Sequence, residues 1–152
     1  MNTIHDILES VGELVVMDNW NQMQNIVNKY IGWENMTLYE PFTDTPGKRK
    51  NGHLQLDISD PRDGRSTYLG WKVGGKYVGF ACIDLEVKDL LWVGDFEVFE
   101  KGKGYGRQFW EAISKKYHRK RAELCYHGIN AKRFWTHMGF TLSHGCVMQK
   151  DL

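Results

Sequence analysis

The feature that most constrains the fold is a meander of three β-prone runs in the middle of the chain. Each run is rich in aromatic and β-branched residues, and Gly74-Gly75 between the first two is typical of a tight hairpin turn. Lys88-Asp89 supplies the turn before the third run. The runs cover residues 67–73, 76–87 and 90–99. Consecutive strands with such short connections predict an antiparallel sheet.

Helices and strands alternate after this meander. Apolar residues recur at helical spacing in two segments, and each spacing predicts an amphipathic helix with one buried face. The first segment carries Phe109, Trp110, Ile113 and Tyr117, and the second carries Ala131, Phe134, Trp135 and Met138. Gly139 closes the second helix. Short strands are predicted at residues 122–126, 140–143 and 146–150, so the order of elements indicates an α+β or mixed α/β fold.

The first 66 residues carry a different pattern. Apolar residues at helical spacing predict one helix over residues 4–15 and a second helix after Asp18. Residues 34–52 contain turn signals and little periodicity, which predicts a long loop. A strand is predicted over residues 53–59, followed by the loop "SDPRDGRS" before the meander begins.

Length and charge indicate one domain without a strongly charged partner. A chain of 152 residues can bury a core without cross-links, and its 20 Lys and Arg residues balance 19 Asp and Glu residues. Basic residues cluster only at residues 48–50 and 115–121. The second cluster is explained by cations at a helix C-terminus, because no basic and aromatic stripe accompanies it. We therefore do not expect nucleic acid as a partner.

The cysteines and the N-terminus bear on the compartment. Cys82, Cys125 and Cys146 are odd in number and lie in apolar runs without metal-ligand spacing. They predict reduced core cysteines rather than a disulfide framework, as in a cytoplasmic protein. The N-terminal residues resemble neither a signal peptide nor a membrane span, so no membrane partner is expected.

The stretch "KGKGYGR", residues 101–107, separates the third strand from the next helix. A helix N-terminus leaves about four backbone N–H groups without intrahelical partners and carries partial positive charge. Glycines in front of it let a phosphate approach the backbone, and flanking Lys and Arg add charged contacts. The spacing matches neither the P-loop nor G-x-G-x-x-G. It predicts a pyrophosphate site, and the alternative is a tight turn with solvated lysines.

Two stretches carry a family resemblance. "FEVFEKGKGYGRQFWEAI" resembles the cofactor-binding signature of the GCN5-related N-acetyltransferase (GNAT) superfamily, with Val98 as the strand-end valine and Lys101 where Arg or Gln is usual. "LCYHGINAKRFWTHMGF" resembles the strand, helix and Gly-Phe turn that follow in this superfamily. The resemblance implies a single domain over residues 1–152, with a cofactor-binding core at 67–150 and a variable acceptor side at 1–66.

The resemblance implies an α+β fold with a mostly antiparallel sheet, flanked by helices and splayed between the strands that end near Val98 and Tyr126. Acetyl-CoA, the acetyl donor, would lie in that gap without a metal, and an N–H near Val98 would stabilise the oxyanion, a contact often worth ~3 kcal/mol. The implied cofactor-binding residues are Phe96, Val98, Lys101, Gly102, Lys103, Gly104, Tyr105, Gly106, Arg107, Asn130 and Phe134.

The transfer needs a base, because an amine acceptor is protonated at neutral pH and must lose a proton before it attacks. The carboxylates on the two strands beside the predicted gap are Asp95, Glu97 and Glu123. Glu123 is the first candidate, because some acetyltransferases of this superfamily that act on N-terminal amines and peptides place a glutamate there.

The general acid is less clearly marked. The superfamily's usual tyrosine is replaced by Trp135, whose indole cannot act as a proton donor near neutral pH, and helical spacing favours a packing role for it. An asparagine often found seven residues earlier is replaced by Gly128. The thiolate of CoA can leave without full protonation, because a thiol pKa is about 8.5. The other candidates are Tyr126, His127 and His137.

The resemblance implies transfer of an acetyl group from acetyl-CoA to a primary amine by direct attack in a ternary complex. The acceptor would be a protein, a peptide or a small molecule, and the protein a monomer or homodimer. One alternative is a GNAT-fold module with weak or no activity that binds acyl-CoA or a protein partner, which Trp135 and Gly128 would favour. Another is transfer to a nucleic-acid base, which the basic clusters would favour.

Overall fold

The elements of the fold are defined by a computed structural model, which describes residues 12–17, 48–50, 53–55, 66–98, 100, 102–126 and 128–152. Nine strands and two helices lie in these ranges. In chain order they are β1 (Gly12–Met17), β2 (Lys48–Lys50), β3 (His53–Gln55), β4 (Ser66–Val73), β5 (Lys76–Asp84), β6 (Leu90–Val98), α1 (Tyr105–Tyr117), β7 (Arg121–Cys125), α2 (Ile129–His137), β8 (Thr141–His144) and β9 (Val147–Asp151).

Seven of these strands form one sheet in the order β1-β4-β5-β6-β7-β9-β8, and β2 and β3 form a separate antiparallel pair. Neighbours in the large sheet are antiparallel except β6 and β7, which are parallel. The predicted meander is confirmed as β4-β5-β6. Gly74 and Gly75 have φ angles of 59° and 75°, the left-handed conformation that such a hairpin turn requires. The predicted mixed, mostly antiparallel fold is therefore confirmed.

The gap expected in this sheet follows from the register of β6. Asp95 pairs with Cys82 but Val93 pairs with Ile83, so Gly94 is an extra residue and forms a β-bulge. A bulge bends its strand and increases the local twist. The parallel ladder with β7 ends at Val93. Beyond that point β6 still pairs with β5 but no longer with β7, and the predicted splay between β6 and β7 is present.

Aromatic side chains fill the core between the sheet and the two helices. Phe96 of β6 stacks on Phe109 of α1 and meets Trp135 of α2 edge-on, with ring centroids 5.0 Å apart in both pairs. Trp110 and Phe140 also pack against Trp135, at 5.4 and 5.1 Å. The predicted burial of Phe109, Trp110 and Trp135 is confirmed. Such a cluster fixes both helices against the end of β6, because aromatic pairs combine large buried area with specific geometry.

Two predictions for the N-terminal part were wrong. Residues 12–17 form β1, not the end of a helix, because all six residues pair with β4. The run Leu14–Met17 is apolar throughout, so it fits a strand as well as a helix, and pairing decides between them. Residues 48–50 lie in a strand rather than a loop. The expected helix over residues 4–11, the helix after Asp18 and the end of the 53–59 strand lie outside the described residues.

The cysteine prediction was wrong for two of the three residues. Cys125 and Cys146 form a disulfide with their Cα atoms 4.8 Å apart, and Cys82 is a free, buried thiol. The register of β7 on β9 brings the pair together, because Cys125 lies opposite Val147, the residue next to Cys146. Composition and local hydrophobicity do not contain that register, which is why they did not indicate the bond.

Candidate functional site

The gap between β6 and β7 opens into a cleft of about 380 Å³. Its walls come from the end of β6, the glycine loop, the first turn of α1 and one side of α2 between Asn130 and Trp135. The expected cofactor-binding residues line this cleft with two exceptions: Lys103, and Lys101, which lies outside the described residues. Sequence reasoning did not assign four further lining residues to the cofactor: Glu97, Glu100, Ala131 and Trp135.

The glycine loop has the geometry of an anion cradle. Gly102 and Gly104 have φ angles of 77° and 78°, and a Cβ added to either would meet no other atom within 4 Å. Helix α1 begins at Tyr105 without a side-chain cap on its N-terminal amides and without an acidic residue in its first turn. The loop therefore leaves both space and backbone donors for a phosphate, so these residues fit the pyrophosphate of acetyl-CoA.

At position 106 a side chain is excluded by packing between the two helices. A Cβ at this position would lie 2.9 Å from Cε2 of Phe134, so the first turn of α1 packs directly on α2. Phe134 in turn stacks on Phe96, with ring centroids 5.6 Å apart. The glycine thus joins the two helices at the wall of the cleft, whereas Gly102 and Gly104 border open space.

Glu100 places one carboxylate among the cations of the loop. Its two oxygens lie 3.5 Å from Nζ of Lys76 and 3.9 Å from Nζ of Lys103. All three side chains are well exposed, and exposed ion pairs of this kind contribute little to stability. Lys103 is therefore held loosely beside the loop, where its ammonium group can exchange this carboxylate for a phosphate.

The three candidate bases lie in different surroundings. Asp95 and Glu97 are almost fully buried, with 2% and 1% of their surface exposed, and Glu97 lines the cleft. Glu123 lies on β7 opposite Trp92, inside the parallel ladder rather than at the gap. Its carboxylate forms an ion pair with Arg121, with Oε1 of Glu123 lying 3.2 Å from Nε of Arg121, and it is not part of the cleft wall. The structure thus brings Glu97, but not Glu123, to the cleft.

The candidate proton donors are also dispersed. Trp135 lines the cleft but is 3% exposed and packs in the aromatic cluster described above. Tyr126 follows the last residue of β7, where Nζ of Lys132 lies 5.3 Å from its ring centroid. His137 is exposed at the end of α2 and does not line the cleft. His127 lies outside the described residues.

The described ranges also bear on metal ligation and on membrane spanning. No group of three or more His, Cys, Asp or Glu side chains is placed there to hold a metal ion. Neither described helix has the length and apolar character needed to cross a membrane.

Comparison with known proteins gives the family. A sequence model of the Acetyltransferase (GNAT) family matches residues 27–140, three quarters of the chain. No curated protein sequence matches the chain.

Solved structures give the same fold at low sequence identity. An acetyltransferase from Bacillus subtilis in complex with CoA is 14% identical, with a TM-score of 0.61 over 93% of this chain and 99% of that one. An acetyltransferase from Thermus thermophilus is 16% identical, with a TM-score of 0.62 over 91% and 97%. The ribosomal-protein-S18-alanine N-acetyltransferase from Escherichia coli is 13% identical, with a TM-score of 0.60 over 93% and 94%. With the family match over residues 27–140, the chain belongs to the acetyltransferase (GNAT) family and is an N-acetyltransferase, as the sequence predicted.

Proposed function

We propose that this protein transfers the acetyl group of acetyl-CoA to a primary amine by direct attack in a ternary complex. The observation that carries the proposal is the open glycine loop at the end of a strand that has parted from its parallel neighbour. A pantetheine arm needs a slot lined by backbone groups, and a pyrophosphate needs exposed amides. In this protein the end of β6, which would supply the backbone groups, lies next to the glycine loop, which would supply the amides. The acceptor is a protein, a peptide or a small molecule, and a cytoplasmic location remains a prediction.

The backbone on either side of the loop would hold the donor. Residues Phe96 to Val98 lie beyond the end of the β6–β7 ladder, so the edge of β6 that faces the gap can pair with the amides of pantetheine. The amides from Gly102 to Arg107 would bind the pyrophosphate, with the side chains of Lys103 and Arg107 adding charge. An N–H near Val98 would donate to the thioester oxygen as negative charge develops on it.

Glu97 is the base that the cleft geometry favours. It is the one candidate carboxylate among the described residues that lines the cleft, whereas Glu123 lies within the β6–β7 ladder and does not line it. Glu97 would take the proton from the attacking amine, directly or through one water molecule. The neutral amine then attacks the thioester carbon, and the carbonyl oxygen carries the negative charge until the thiolate leaves.

Trp135 is assigned a packing role in this mechanism. Its ring centroid lies 4.8–5.4 Å from the centroids of four other aromatic rings. In addition, indole does not transfer protons near neutral pH. The leaving thiolate needs no obligatory acid because its conjugate thiol has a pKa of about 8.5. Replacement of the usual tyrosine is therefore compatible with turnover.

The test combines binding with turnover. Acetyl-CoA at ~100 times its dissociation constant should stabilise the fold by ~2.7 kcal/mol, whereas NAD and ATP should not. A panel of amine acceptors, followed by release of the CoA thiol, then measures transfer. Binding without thiol release for any amine would favour the alternative of a module that holds acyl-CoA without catalysis. No binding would overturn the proposal.

The choice of base has its own test. Glu97→Gln should lower kcat by roughly 10²- to 10⁴-fold without loss of acetyl-CoA binding, because it removes only the proton acceptor. Glu123→Gln is the matched control on the neighbouring strand and should change kcat by less than about threefold. The opposite pattern would return the role to Glu123.

A further inference from the structure

The disulfide lies at the mouth of the gap. The last parallel pair between β6 and β7 is Val93 with Leu124, and Cys125 is the next residue of β7. Its partner Cys146 stands in the turn between β8 and β9. The covalent bond therefore acts on the first residue of β7 that has separated from β6.

The bond holds β7 on the side away from the gap. Strand β7 lies between β6 and β9, and the disulfide ties its end to the segment that begins β9. The backbone N–H of Tyr126 donates to the carbonyl oxygen of Cys146 at 2.9 Å, which adds a second link in the same direction. Reduction removes the covalent link and leaves this hydrogen bond and the β7–β9 ladder to hold the end of β7. The end of β7 is then less restrained on the side away from the gap and can move towards it.

A short chain of contacts leads from the bond to the wall of the cleft. Tyr126, next to Cys125, has the ammonium group of Lys132 above its ring at 5.3 Å. Lys132 belongs to the first half of α2, and its neighbour Ala131 lines the cleft. A shift at the end of β7 thus reaches the helix that forms one side of the cofactor site.

The bond is also accessible to reductants. Cys146 is exposed and Cys125 is half-buried, whereas the third cysteine, Cys82, is 2% exposed. Thiol–disulfide exchange requires direct approach of a thiolate to one sulfur, so exposure distinguishes a reversible bond from an inert one.

We propose that Cys125 and Cys146 form a redox switch whose oxidised state holds the gap open for acetyl-CoA. A cellular dithiol supplies the electrons. Its thiolate attacks Sγ of Cys146, forms a mixed disulfide and releases Cys125 as a thiolate, which takes up a proton. The second thiol of the reductant loses its proton and attacks the reductant's first sulfur, which is bonded to Sγ of Cys146 in the mixed disulfide. This releases Cys146 as a thiolate, which is protonated in turn. Two electrons and two protons pass to the protein, and the reductant leaves as a disulfide.

The inference rests on the proposed function, because its effect is on binding of the acetyl donor. The test compares oxidised protein with protein reduced by dithiothreitol and freed of reductant under anaerobic conditions. The ligand is S-ethyl coenzyme A, a thioether that cannot exchange with thiols. We expect the dissociation constant to rise at least threefold on reduction and to return after reoxidation with glutathione disulfide. Peptide mapping by mass spectrometry follows the state of each cysteine.

The double variant Cys125→Ser, Cys146→Ser is the control. It should bind like the reduced protein and should not respond to reductant. Equal affinity of the oxidised and reduced forms overturns the inference and leaves the proposed function intact, whereas no binding in either form overturns both. A reductant response that persists in the double variant assigns the effect to Cys82 and also overturns the switch. The switch is also overturned if the Cys125–Cys146 bond forms only in unfolded protein, or if glutathione reduces it only after the protein unfolds.

Discussion

Gly104→Glu provides the most direct test of the anion cradle. Gly104 has a φ angle of 78°, stands at the N-cap of α1 and has no atom within 4 Å of the position that a Cβ would take. A glutamate there would project bulk and negative charge into the space assigned to the pyrophosphate. The left-handed backbone costs a residue with a Cβ roughly 1–2 kcal/mol of stability. A carboxylate at a helix N-terminus returns roughly 0.3–1 kcal/mol of that.

The effect on binding should be larger than the effect on folding. Two unit charges about 5 Å apart at an effective dielectric constant of about 20 repel by roughly 3 kcal/mol. That repulsion corresponds to a loss of affinity on the order of 100-fold. The net cost of roughly 0–1.7 kcal/mol should lower the melting temperature by at most about 7 °C, since 1 kcal/mol shifts it by about 2–4 °C in a chain of this size.

Two control variants separate the causes. Gly75→Glu places the same side chain on a similar left-handed backbone outside the cleft. Gly75 has a φ angle of 75° and no atom within 4 Å of an added Cβ. It should lose comparable stability and keep its affinity for acetyl-CoA. Gly104→Gln has the bulk without the charge, so the difference between Gln and Glu should shrink as salt is raised.

Isothermal titration calorimetry with acetyl-CoA gives the dissociation constants, and thermal unfolding without ligand gives the stabilities. A dissociation constant of Gly104→Glu within twofold of the native protein would show that no phosphate lies at this loop. Equal losses of affinity in Gly104→Glu and Gly75→Glu would assign the effect to general destabilisation.

Three further predictions concern packing, titration and the cross-link. Gly106→Ala should cost about 1–3 kcal/mol in urea denaturation, because its Cβ would lie 2.9 Å from Phe134, and adding Phe134→Leu should recover part of the loss. Burial raises the pKa of Tyr117 above its ordinary value of 10.0. As pH rises, the phenol therefore ionises in the unfolded protein before it ionises in the folded one. The stability that this group contributes is full below pH 10 and declines as the pH rises through the pKa of the folded protein. Tyr117→Phe should lessen that alkaline decline in denaturation curves. The Cys125–Cys146 bond closes a loop with a sequence separation of 21 and should contribute about 3 kcal/mol, so the double serine variant should melt about 6–12 °C lower by calorimetry. An unchanged melting temperature would contradict this last prediction.

The parts of the fold that sequence predicted correctly are those fixed by local chemistry. Gly74-Gly75 and Lys88-Asp89 determine tight turns within a few residues, and Phe109 and Ile113 mark a helix face by spacing alone. The glycine loop lies where the sequence predicts it, between a strand and a helix, with Gly102 and Gly104 at positive φ. The anion that it would bind stays a prediction.

The parts that sequence missed depend on which strands become neighbours. The sequence predicts a helix where β1 lies because the apolar run Leu14–Met17 fits either periodicity, and only pairing with β4 decides for a strand. The bond between Cys125 and Cys146 depends on the register of β7 on β9. The resemblance ranks Glu123 ahead of Asp95 and Glu97 as the base, and only the end of the parallel ladder distinguishes a carboxylate at the cleft from one beside it.

The bulge at Gly94 connects the fold with the proposed chemistry. Without the extra residue, β6 would continue straight beside β7, and the parallel ladder could extend past Val93 and close the gap. The bulge turns the strand instead, so that Phe96 and Val98 join the hydrophobic core and, together with Glu97, border the cleft. A half-strand that has left one neighbour offers its edge to another chain, which is a hazard in a sheet. In the proposed function an amide-bearing ligand pairs with this edge, so the same irregularity that interrupts the sheet would create the site.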